Sequence, residues 1–167
     1  KDSVGGGKIT GAYNTGDGGA FYMHRGSLYI EGGEITGNKA KNGAGIYAAS
    51  KNNLCITGGK ITGGSTVQMG GGLATEYTKD SETVTELYIG GSAYIFENEG
   101  SDVYLAEKTV IKLDLDAPLK DNAKIGIEAF DTSVALIVNA YEKCLNNFVW
   151  TPDSAILVFE NEQVFVK

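Results

Sequence analysis

The chain of 167 residues is poor in the residues that most often carry catalysis or metal binding. It has one histidine, His24, one arginine, Arg25, two cysteines and two prolines. The low proline content argues against a collagen-like or proline-rich disordered chain. Cys55 and Cys144 lie far apart without metal-ligand spacing, so we interpret them as ordinary residues, although one disulfide is possible. Such low cysteine usage does not fix the redox compartment.

Positive charge is also scarce. Fourteen Lys and Arg residues stand against 21 Asp and Glu, which gives a net charge of −7. Nucleic-acid binders and anionic-membrane binders need a basic face, so neither partner is expected. No run approaches the roughly 18 apolar residues of a membrane span. There is no signal peptide, and Lys1 stands in place of Met, so a processed or truncated piece is expected.

Glycine, in contrast, is abundant. The chain contains 24 glycines, about twice the usual ~7%. All but Gly126 lie within residues 1–113, and the net charge shifts from −2 over residues 1–113 to −5 over 114–167. These changes predict two domains, residues 1–113 and residues 114–167.

The glycines belong to an internal repeat. A Gly-Gly-x-Ile-Thr-Gly block begins at Gly6, Gly32 and Gly58, with a spacing of 26 residues, and a weaker copy begins at Gly90. Two further apolar blocks accompany it in each repeat. One contains Phe21, Ile46, Leu73 and Val103, and the other contains Leu28, Leu54 and Leu87 with Ile30, Ile56 and Ile89.

Each apolar block is too short for a helix and alternates with period two, which predicts a strand of a few residues. Three strands separated by glycine turns form one coil of a β-solenoid, whose coils stack at about 4.8 Å. Ile9, Ile35 and Ile61 are then expected to form one internal ladder. Glycine suits the corners, where tight turns require positive φ.

The repeat resembles the Gly-rich repeats of large bacterial and archaeal adhesin-like surface proteins. The resemblance is carried by Gly32 to Asn38, Gly43 to Tyr47 and Leu54 to Gly59, and it covers roughly residues 5–113. It implies an all-β fold, the right-handed single-stranded parallel β-helix of the pectin-lyase-like superfamily, with about four coils. Ala12 and Gly64 stand at the Asn38 position of other repeats, so an internal Asn ladder is expected to be broken.

Residues 114–167 have a different pattern. Longer strands are predicted at 124–130, 134–139, 155–159 and 163–166, with a hairpin turn at 160–162. A solenoid end exposes an apolar cross-section and unpaired strand edges, which something must cover. A C-terminal β-rich cap is the simplest interpretation, and a separate binding module is the alternative.

The resemblance raises the possibility of a polysaccharide lyase or hydrolase. The similar lyases use calcium held by acidic residues on adjacent coils, with Arg or Lys as the base, and the hydrolases carry several Asp and a Gly-His-Gly motif. This chain has neither the acidic columns nor that motif. We therefore expect no catalytic residues and no cofactor, and keep a lyase as the weaker alternative.

Outward tyrosines are the main binding candidates. Tyr22, Tyr47 and Tyr104 follow inward residues and are expected to line one face, with Ala74 interrupting the row. Tyr29 and Tyr88 are expected to flank Cys55 on another face. Exposed tyrosines can stack on sugars or on a protein partner, but cross-strand pairing also selects them. The third coil has six extra residues within 74–86, including Tyr77, which predicts a loop that is either a recognition element or inert.

Other surface columns have simpler explanations. Lys8, Glu34 and Lys60 predict a charge ladder that helps set coil register, and a Thr10, Thr36, Thr62 column is explained by β-propensity better than by ice binding. Three acidic segments could in principle hold calcium: Gly16 to Gly19, Glu97 with Glu99, and Asp114 with Asp116. Solvated carboxylates are the simpler interpretation, and no metal is expected.

The sequence thus predicts a non-catalytic, secreted or cell-surface module that acts as a rigid spacer or contact surface. Its possible partners are a glycan or a host or cell-surface protein. The alternative function is glycan binding through the outward tyrosines and the 74–86 loop.

Overall fold

The computed structural model describes residues 6–49, 51–76, 84–151 and 155–167. The protein is nearly all β and forms a parallel β-solenoid, as the repeat predicts, but it has about five turns where about four coils were predicted. In the described part of the chain, helical structure consists of one short 3-10 helix, Glu142–Asn147, and no described helix has the length and apolar character needed to cross a membrane.

In the described parts of the chain, seventeen strands follow one another. In order they are β1 (Lys8–Thr10), β2 (Phe21–Met23), β3 (Gly26–Thr36), β4 (Lys39–Asn42), β5 (Ile46–Ala48), β6 (Asn52–Thr62), β7 (Ser65–Met69), β8 (Leu73–Thr75), β9 (Glu86–Ile89), β10 (Tyr94–Ile95), β11 (Val103–Leu105), β12 (Ile111–Leu113), β13 (Lys124–Ala129), β14 (Ile137–Val138), β15 (Phe148–Trp150), β16 (Leu157–Glu160) and β17 (Gln163–Val166).

Three walls of parallel strands enclose the core. The first wall contains β1, the second halves of β3 and β6, then β10 and the first half of β13. The second wall contains β2, β5, β8, β11 and the second half of β13. The third wall contains the first halves of β3 and β6, then β9, β12 and β14. A separate pair, β4 with β7, forms a small parallel sheet.

The predicted internal ladders are confirmed by the strand register. Ile9 pairs with Ile35 and Ile35 with Ile61 on the first wall, and Leu28, Leu54 and Leu87 align on the third. The second wall aligns Phe21, Ile46, Leu73 and Val103 in the same manner. Side chains in the middle turns are fully buried, and each such side chain stabilises the fold by about 1.5–3 kcal/mol.

The apolar block of the third wall and the Gly-Gly-x-Ile-Thr block of the first wall lie on one continuous strand, although the sequence predicts a separate strand for each. β3 and β6 each run for 11 residues through the Gly-Gly corner, where the pairing shifts register between Ile30 and Glu34. Gly33 and Gly59 have positive φ at this corner, and Gly59 also packs closely against the backbone of Gly32. Glycine therefore bends the strand here without ending it.

Asparagine side chains support alternate coils instead of forming a continuous ladder. Asn38 accepts a hydrogen bond from the Ala12 N–H at 3.0 Å, and its amide donates to the Ile9 carbonyl at 3.3 Å. Asn98 repeats this arrangement two coils later, with the Gly64 N–H at 2.9 Å and the Ile61 carbonyl at 3.0 Å. Each Asn thus serves the preceding coil, which lacks an Asn of its own.

Parallel stacking continues beyond residue 113, where the glycine repeat ends. β13 pairs with β10 through Ile125 and with β11 through Ile127, and β15 then pairs with β13. One strand of six residues therefore supplies two walls of the fifth turn without a Gly-Gly pair. Its single glycine, Gly126, lies where the strand passes from the first wall to the second, and a Cβ there would collide with the Asp102 side chain. The predicted strand at 134–139 shrinks to Ile137–Val138, and β15 was not predicted. The division into two domains at residue 114 stays a prediction.

The C-terminal hairpin is confirmed. β16 and β17 pair antiparallel, and β17 also pairs antiparallel with β14, so the hairpin extends the third wall. Asn161 and Glu162 both have positive φ, as a two-residue hairpin turn requires. Val164 of β17 is fully buried against the core. The opposite end of the solenoid is more open, because Ile9 of the first rung is 38% exposed.

Candidate binding surface

The outward side chains of the second wall form a column that contains the predicted tyrosines. The register pairs Tyr22 with Tyr47, Tyr47 with Ala74 and Ala74 with Tyr104, and Glu128 continues the column on β13. The rings of Tyr22 and Tyr47 stack with centroids 5.5 Å apart and planes 13° apart. Parallel strands about 4.8 Å apart hold two rings in this arrangement without further support.

The tyrosines differ in accessibility, in contrast to the exposed row that the sequence predicts. Tyr22 is 53% exposed, Tyr104 is half-buried and Tyr47 is only 7% exposed. Tyr47 packs with Ala49 and Ala74 in a small apolar cluster, and Tyr104 lies against the same cluster. Tyr22 therefore presents an open ring, whereas Tyr47 and Tyr104 border a recess.

That recess is a groove of about 470 Å³. We call it the tyrosine groove, and it is lined by Tyr47, Met69, Thr75, Glu76, Tyr104, Ala106, Glu107 and Phe130. Thr75 fixes its base, because the Thr75 hydroxyl donates to the Tyr104 carbonyl and accepts from the Ala106 N–H at 2.9 Å. Phe130, which follows β13, is 65% exposed beside it. The sequence gives no periodic signal for Glu107 or Phe130, since they lie outside the strands, and Met69 ends β7, which belongs to the small separate sheet.

Acidic side chains act on both tyrosines that border the groove. Burial raises the pKa of the Tyr47 phenol, and the negative charges of Glu76 and Asp17 raise it further. Burial also raises the pKa of Tyr104, with a second contribution from Glu128. Both phenols are therefore neutral at physiological pH, and the charges that act on them, from Glu76, Asp17 and Glu128, are negative.

The predicted recognition loop is only partly described. Leu73–Thr75 and Glu86–Ile89 are strands β8 and β9, which bracket the six-residue excess of this coil. Tyr77 and the rest of residues 77–83 lie outside the described residues. The predicted role of Tyr77 in binding stays a prediction.

The first wall presents a different outward face, with charge and aromatic rings together. Lys8 forms an ion pair with Glu34 at 3.2 Å, and Lys60 extends its ammonium over the Tyr94 ring at 5.8 Å. Lys124 lies 3.6 Å from the centroid of Phe96. The predicted charge ladder is thus one ion pair followed by cation–π contacts. These half-exposed contacts stabilise the coil stack by about 1 kcal/mol or less each.

The third wall places Cys55 between Tyr29 and Tyr88, as predicted. Burial raises the pKa of the Cys55 thiol, and Asp114 and Glu31 raise it further. Cys144 is fully buried, which also raises its pKa. Both cysteines are free thiols that stay protonated at neutral pH, so neither is an activated nucleophile.

The acidic segments considered for calcium make local structural contacts. Asp17 accepts a hydrogen bond from the Asn42 amide at 2.8 Å, Glu99 accepts from the Ser65 hydroxyl, and Asp114 accepts from the Asp116 N–H at 3.0 Å. Among the described residues, no three acidic, histidine or cysteine side chains are grouped as metal ligands. His24 and Arg25 are both exposed in the bend between β2 and β3.

One buried carboxyl was missed by the sequence argument. Asp102 is 5% exposed and accepts hydrogen bonds from both the backbone and the side-chain amide of Asn98, at 2.8 and 2.9 Å. Burial raises its pKa, and the two bonds from Asn98 offset part of that rise. A structural role for Asp102 follows, because it orients the Asn98 side chain that caps the neighbouring coil.

Comparisons with protein-family models, with curated proteins and with solved structures found no match to this chain.

Proposed function

We propose that the protein is a non-catalytic structural module that acts as a rigid spacer or contact surface, in the manner of an adhesin-like surface protein. The observation that supports this most is the continuous stack of buried ladders on three walls. Leu54, Leu87 and Ile111 are consecutive rungs of one wall, and all three are fully buried. A stack of this kind resists bending, because each turn shares its core and backbone hydrogen bonds with the next.

The chemistry of the surface agrees with a non-catalytic role. The described thiols are protonated, and His24 and Arg25 are exposed in a bend. Catalytic sites usually combine perturbed titratable groups in a cleft with a hydrogen-bonded partner that orients them. Burial raises the pKa of the Asp102 carboxyl, and its hydrogen bonds from Asn98 give this buried group a structural role.

A secreted or cell-surface location is part of the proposal and can be tested directly. Antibodies against the chain should label intact, non-permeabilised cells that produce it, and external protease should remove the signal. A cytoplasmic protein used as a control should be neither labelled nor cleaved. Labelling that requires permeabilisation would contradict the surface location while leaving the spacer argument intact.

The spacer role is tested by pulling single molecules from their two ends. A stacked solenoid should keep its length at low force and then lose turns of about 26 residues, each adding roughly 90 Å of extended chain. Gradual extension without steps would show that the turns do not form a stiff stack. That result would remove the basis for a spacer.

Glycan binding is the second candidate function, and Tyr22 is the observation that favours it. Its exposed ring lies flat against Tyr47, which gives a platform of the kind that pyranose rings stack on. A glycan array with the wild-type chain and the Tyr22→Ala variant tests this candidate. Tyr29→Ala is the matched control, because Tyr29 on the third wall is 63% exposed and so at least as accessible as Tyr22. Absence of binding by the wild type would reject it.

A further inference from the structure

The small sheet of β4 and β7 carries a groove of about 300 Å³ between the first and second walls. We call it the lysine groove, because Lys39 and Lys41 of β4 line it. Tyr13 lines it from the preceding coil, and Val67 of β7 lines it from the following coil. The lysine groove therefore spans three stacked coils.

The two lysines of the groove have no acidic partner. Both are exposed and alternate along β4 with buried residues, so their side chains leave the same face of the strand. Neither forms an ion pair in the part of the chain that the structure describes, although other lysines there pair with carboxylates. The described lining of the groove includes no acidic side chain.

The acidic residues closest to this surface along the sheet are occupied by structural contacts. Glu99 accepts a hydrogen bond from the Ser65 hydroxyl at the edge of the groove. Asp17 accepts one from the Asn42 amide at 2.8 Å. Two adjacent ammonium groups thus face solvent without a fixed counter-charge, on a chain whose net charge is −7.

Apolar side chains border the lysines on both sides. Val67 is 83% exposed and Tyr13 is 74% exposed, and these are the two most exposed large apolar side chains among the described residues. A partner that covers both would remove apolar surface from water. The lysine groove therefore combines positive charge with two apolar contact points.

A β-bulge turns Val67 outward. Ala40 pairs with Thr66 and Asn42 pairs with Met69, so β7 has one residue more than β4 over this stretch. The Thr66 hydroxyl donates to the Lys41 carbonyl and accepts from the Gln68 N–H at 3.2 Å, which holds the bulge in place. Bulges commonly redirect a side chain in this way.

The four outward side chains follow one another along a diagonal. Tyr13 is bridged to Lys39, and the Asn14 N–H donates to the Lys39 carbonyl at 2.9 Å. Lys41 lies two residues further along β4, and the register of the bulge places Val67 beside it. An extended chain that crosses the groove would meet Tyr13, Lys39, Lys41 and Val67 in that order.

An extended peptide has the matching periodicity. Its alternate side chains lie on one face, about 6.6–7 Å apart, as those of Lys39 and Lys41 do. A small inorganic anion would leave Tyr13 and Val67 uncovered, and a single acidic sugar would reach one of them. We propose that the lysine groove binds an extended acidic segment of a partner protein, whose carboxylates at positions i and i+2 pair with Lys39 and Lys41, and whose apolar side chains at i−2 and i+4 cover Tyr13 and Val67.

This inference goes beyond the proposed spacer function and does not depend on it. The net charge of −7 repels an acidic partner at long range, but the Debye length at 0.15 M salt is about 8 Å. The two lysines therefore dominate once the segment is in contact. A surface of two lysines is too small for nucleic acid, which requires a longer basic face.

The test titrates three capped peptides against the full chain by NMR. The first is Phe-Gly-Asp-Gly-Asp-Gly-Val, which carries both features. The second replaces both Asp by Asn and keeps the shape without the charge, and the third replaces Phe and Val by Ala and keeps the charge alone. We expect saturable binding of the first peptide, with the Asn peptide weaker by about tenfold or more and the Ala peptide weaker severalfold.

Variants of the chain assign the binding to the groove. The double variant Lys39→Gln with Lys41→Gln should weaken the first peptide by about tenfold or more, and Val67→Ser should weaken it severalfold. Lys120→Gln is the matched control, because Lys120 is also exposed and lies outside the groove; it should bind as the wild type does. All of these positions are exposed, and circular dichroism checks that each variant keeps its strand content.

Four results would overturn the proposal. The first is no saturable binding of the first peptide up to about 10 mM, and the second is equal affinity for the Asn peptide. The third is unchanged affinity in the double lysine variant. The fourth is binding of methyl glucuronide that the double variant removes, without binding of any peptide, which would assign the groove to acidic sugars.

Discussion

Replacing Asn98 with alanine should destabilise the solenoid more than any comparable change of a polar side chain on its surface. Asn98 accepts from the Gly64 N–H at 2.9 Å and donates to the Ile61 carbonyl at 3.0 Å. The two N–H groups of this amide are also shared with the Phe96 carbonyl at 3.2 Å and with Asp102 at 2.9 Å, so one of them serves two acceptors. One side chain thus joins the fourth coil to the third and also holds a buried carboxylate.

The size of this destabilisation follows from the backbone and carboxyl groups that lose their hydrogen-bond partner when Asn98 is replaced. A buried donor or acceptor left without a hydrogen bond costs about 1–3 kcal/mol. The Asn98 side chain is half-buried, so water replaces part of the loss at its outer partners. We therefore expect Asn98→Ala to lower the free energy of unfolding by about 2–4 kcal/mol at neutral pH. Asn146→Ala, in an exposed turn of the 3-10 helix, should change it by less than about 0.5 kcal/mol.

The pH dependence provides a second, independent readout. The pKa of Asp102 in the folded protein is raised above its unfolded value, so Asp102 favours folding fully only below the unfolded pKa. That contribution is lost as the pH rises through the folded pKa. Asn98 lowers the pKa of Asp102, and its removal should raise that pKa further. The destabilisation by Asn98→Ala should therefore be larger at pH 7 than at pH 3.

Urea denaturation followed by circular dichroism at both pH values measures these effects. A loss below about 1 kcal/mol at pH 7 would show that the Asn98 contacts do not support the neighbouring coil. An equal loss at pH 3 and pH 7 would show that Asn98 does not stabilise the ionised Asp102.

Three further changes test other parts of the structure, each by the free energy of unfolding in urea. Asp102→Asn should stabilise the protein at pH 7, because an amide keeps an acceptor for Asn98 without a buried charge, and it should make the free energy of unfolding depend less on pH. An unchanged slope of the free energy of unfolding between pH 3 and pH 7 would contradict this. Glu97→Gly should raise the free energy of unfolding by about 0.5–1 kcal/mol, because Glu97 has φ 64°, a backbone conformation that strains a residue with a Cβ. The equivalent positions of earlier coils carry Gly37 and Gly63, which adopt it without strain. Glu97→Ala keeps the strain and should show no gain. Leu87→Ala, in a fully buried central rung, should lower the free energy of unfolding by about 3–5 kcal/mol, whereas Ile9→Ala, in the more exposed first rung, should lower it by less than about 1.5 kcal/mol. Equal losses would refute the stacked core.

The ladders were predictable from the sequence because stacking repeats the same environment at a fixed period. Ile35 and Ile61 occupy equivalent rungs, so periodic spacing alone identifies their wall and direction. The Gly-Gly corners carry a similar signal, since positive φ there excludes most other residues.

The fifth turn was not predictable in the same way. Glycine marks corners in the first four turns, but Lys124–Ala129 passes from the first wall to the second as one strand. Its buried residues Ile125 and Ile127 alternate like those of any half-buried strand. The alternation indicates a strand without indicating its partners, which are set by tertiary packing.

The tyrosine face was only partly predictable. The sequence places Tyr47 and Tyr104 in one column, interrupted by Ala74, because the register follows from the repeat. It cannot show that Tyr47 is buried or that Phe130 lies beside the column, since both depend on irregular segments between strands. Loops carry no periodic signal, and a groove formed by several of them requires the folded structure.

The most direct test of a rigid stacked solenoid is the distance between two spin labels on one outward column. Lys8 and Lys124 lie on the first wall, four rungs apart through Glu34, Lys60 and Tyr94, so their Cα atoms should be about 19 Å apart. The measurement uses Lys8→Cys with Lys124→Cys, in a chain whose Cys55 and Cys144 are replaced by serine and alanine. We expect one narrow distance distribution centred near that separation plus the label length. A broad or multiple distribution, in a variant that keeps its strand content, would contradict the stacked solenoid.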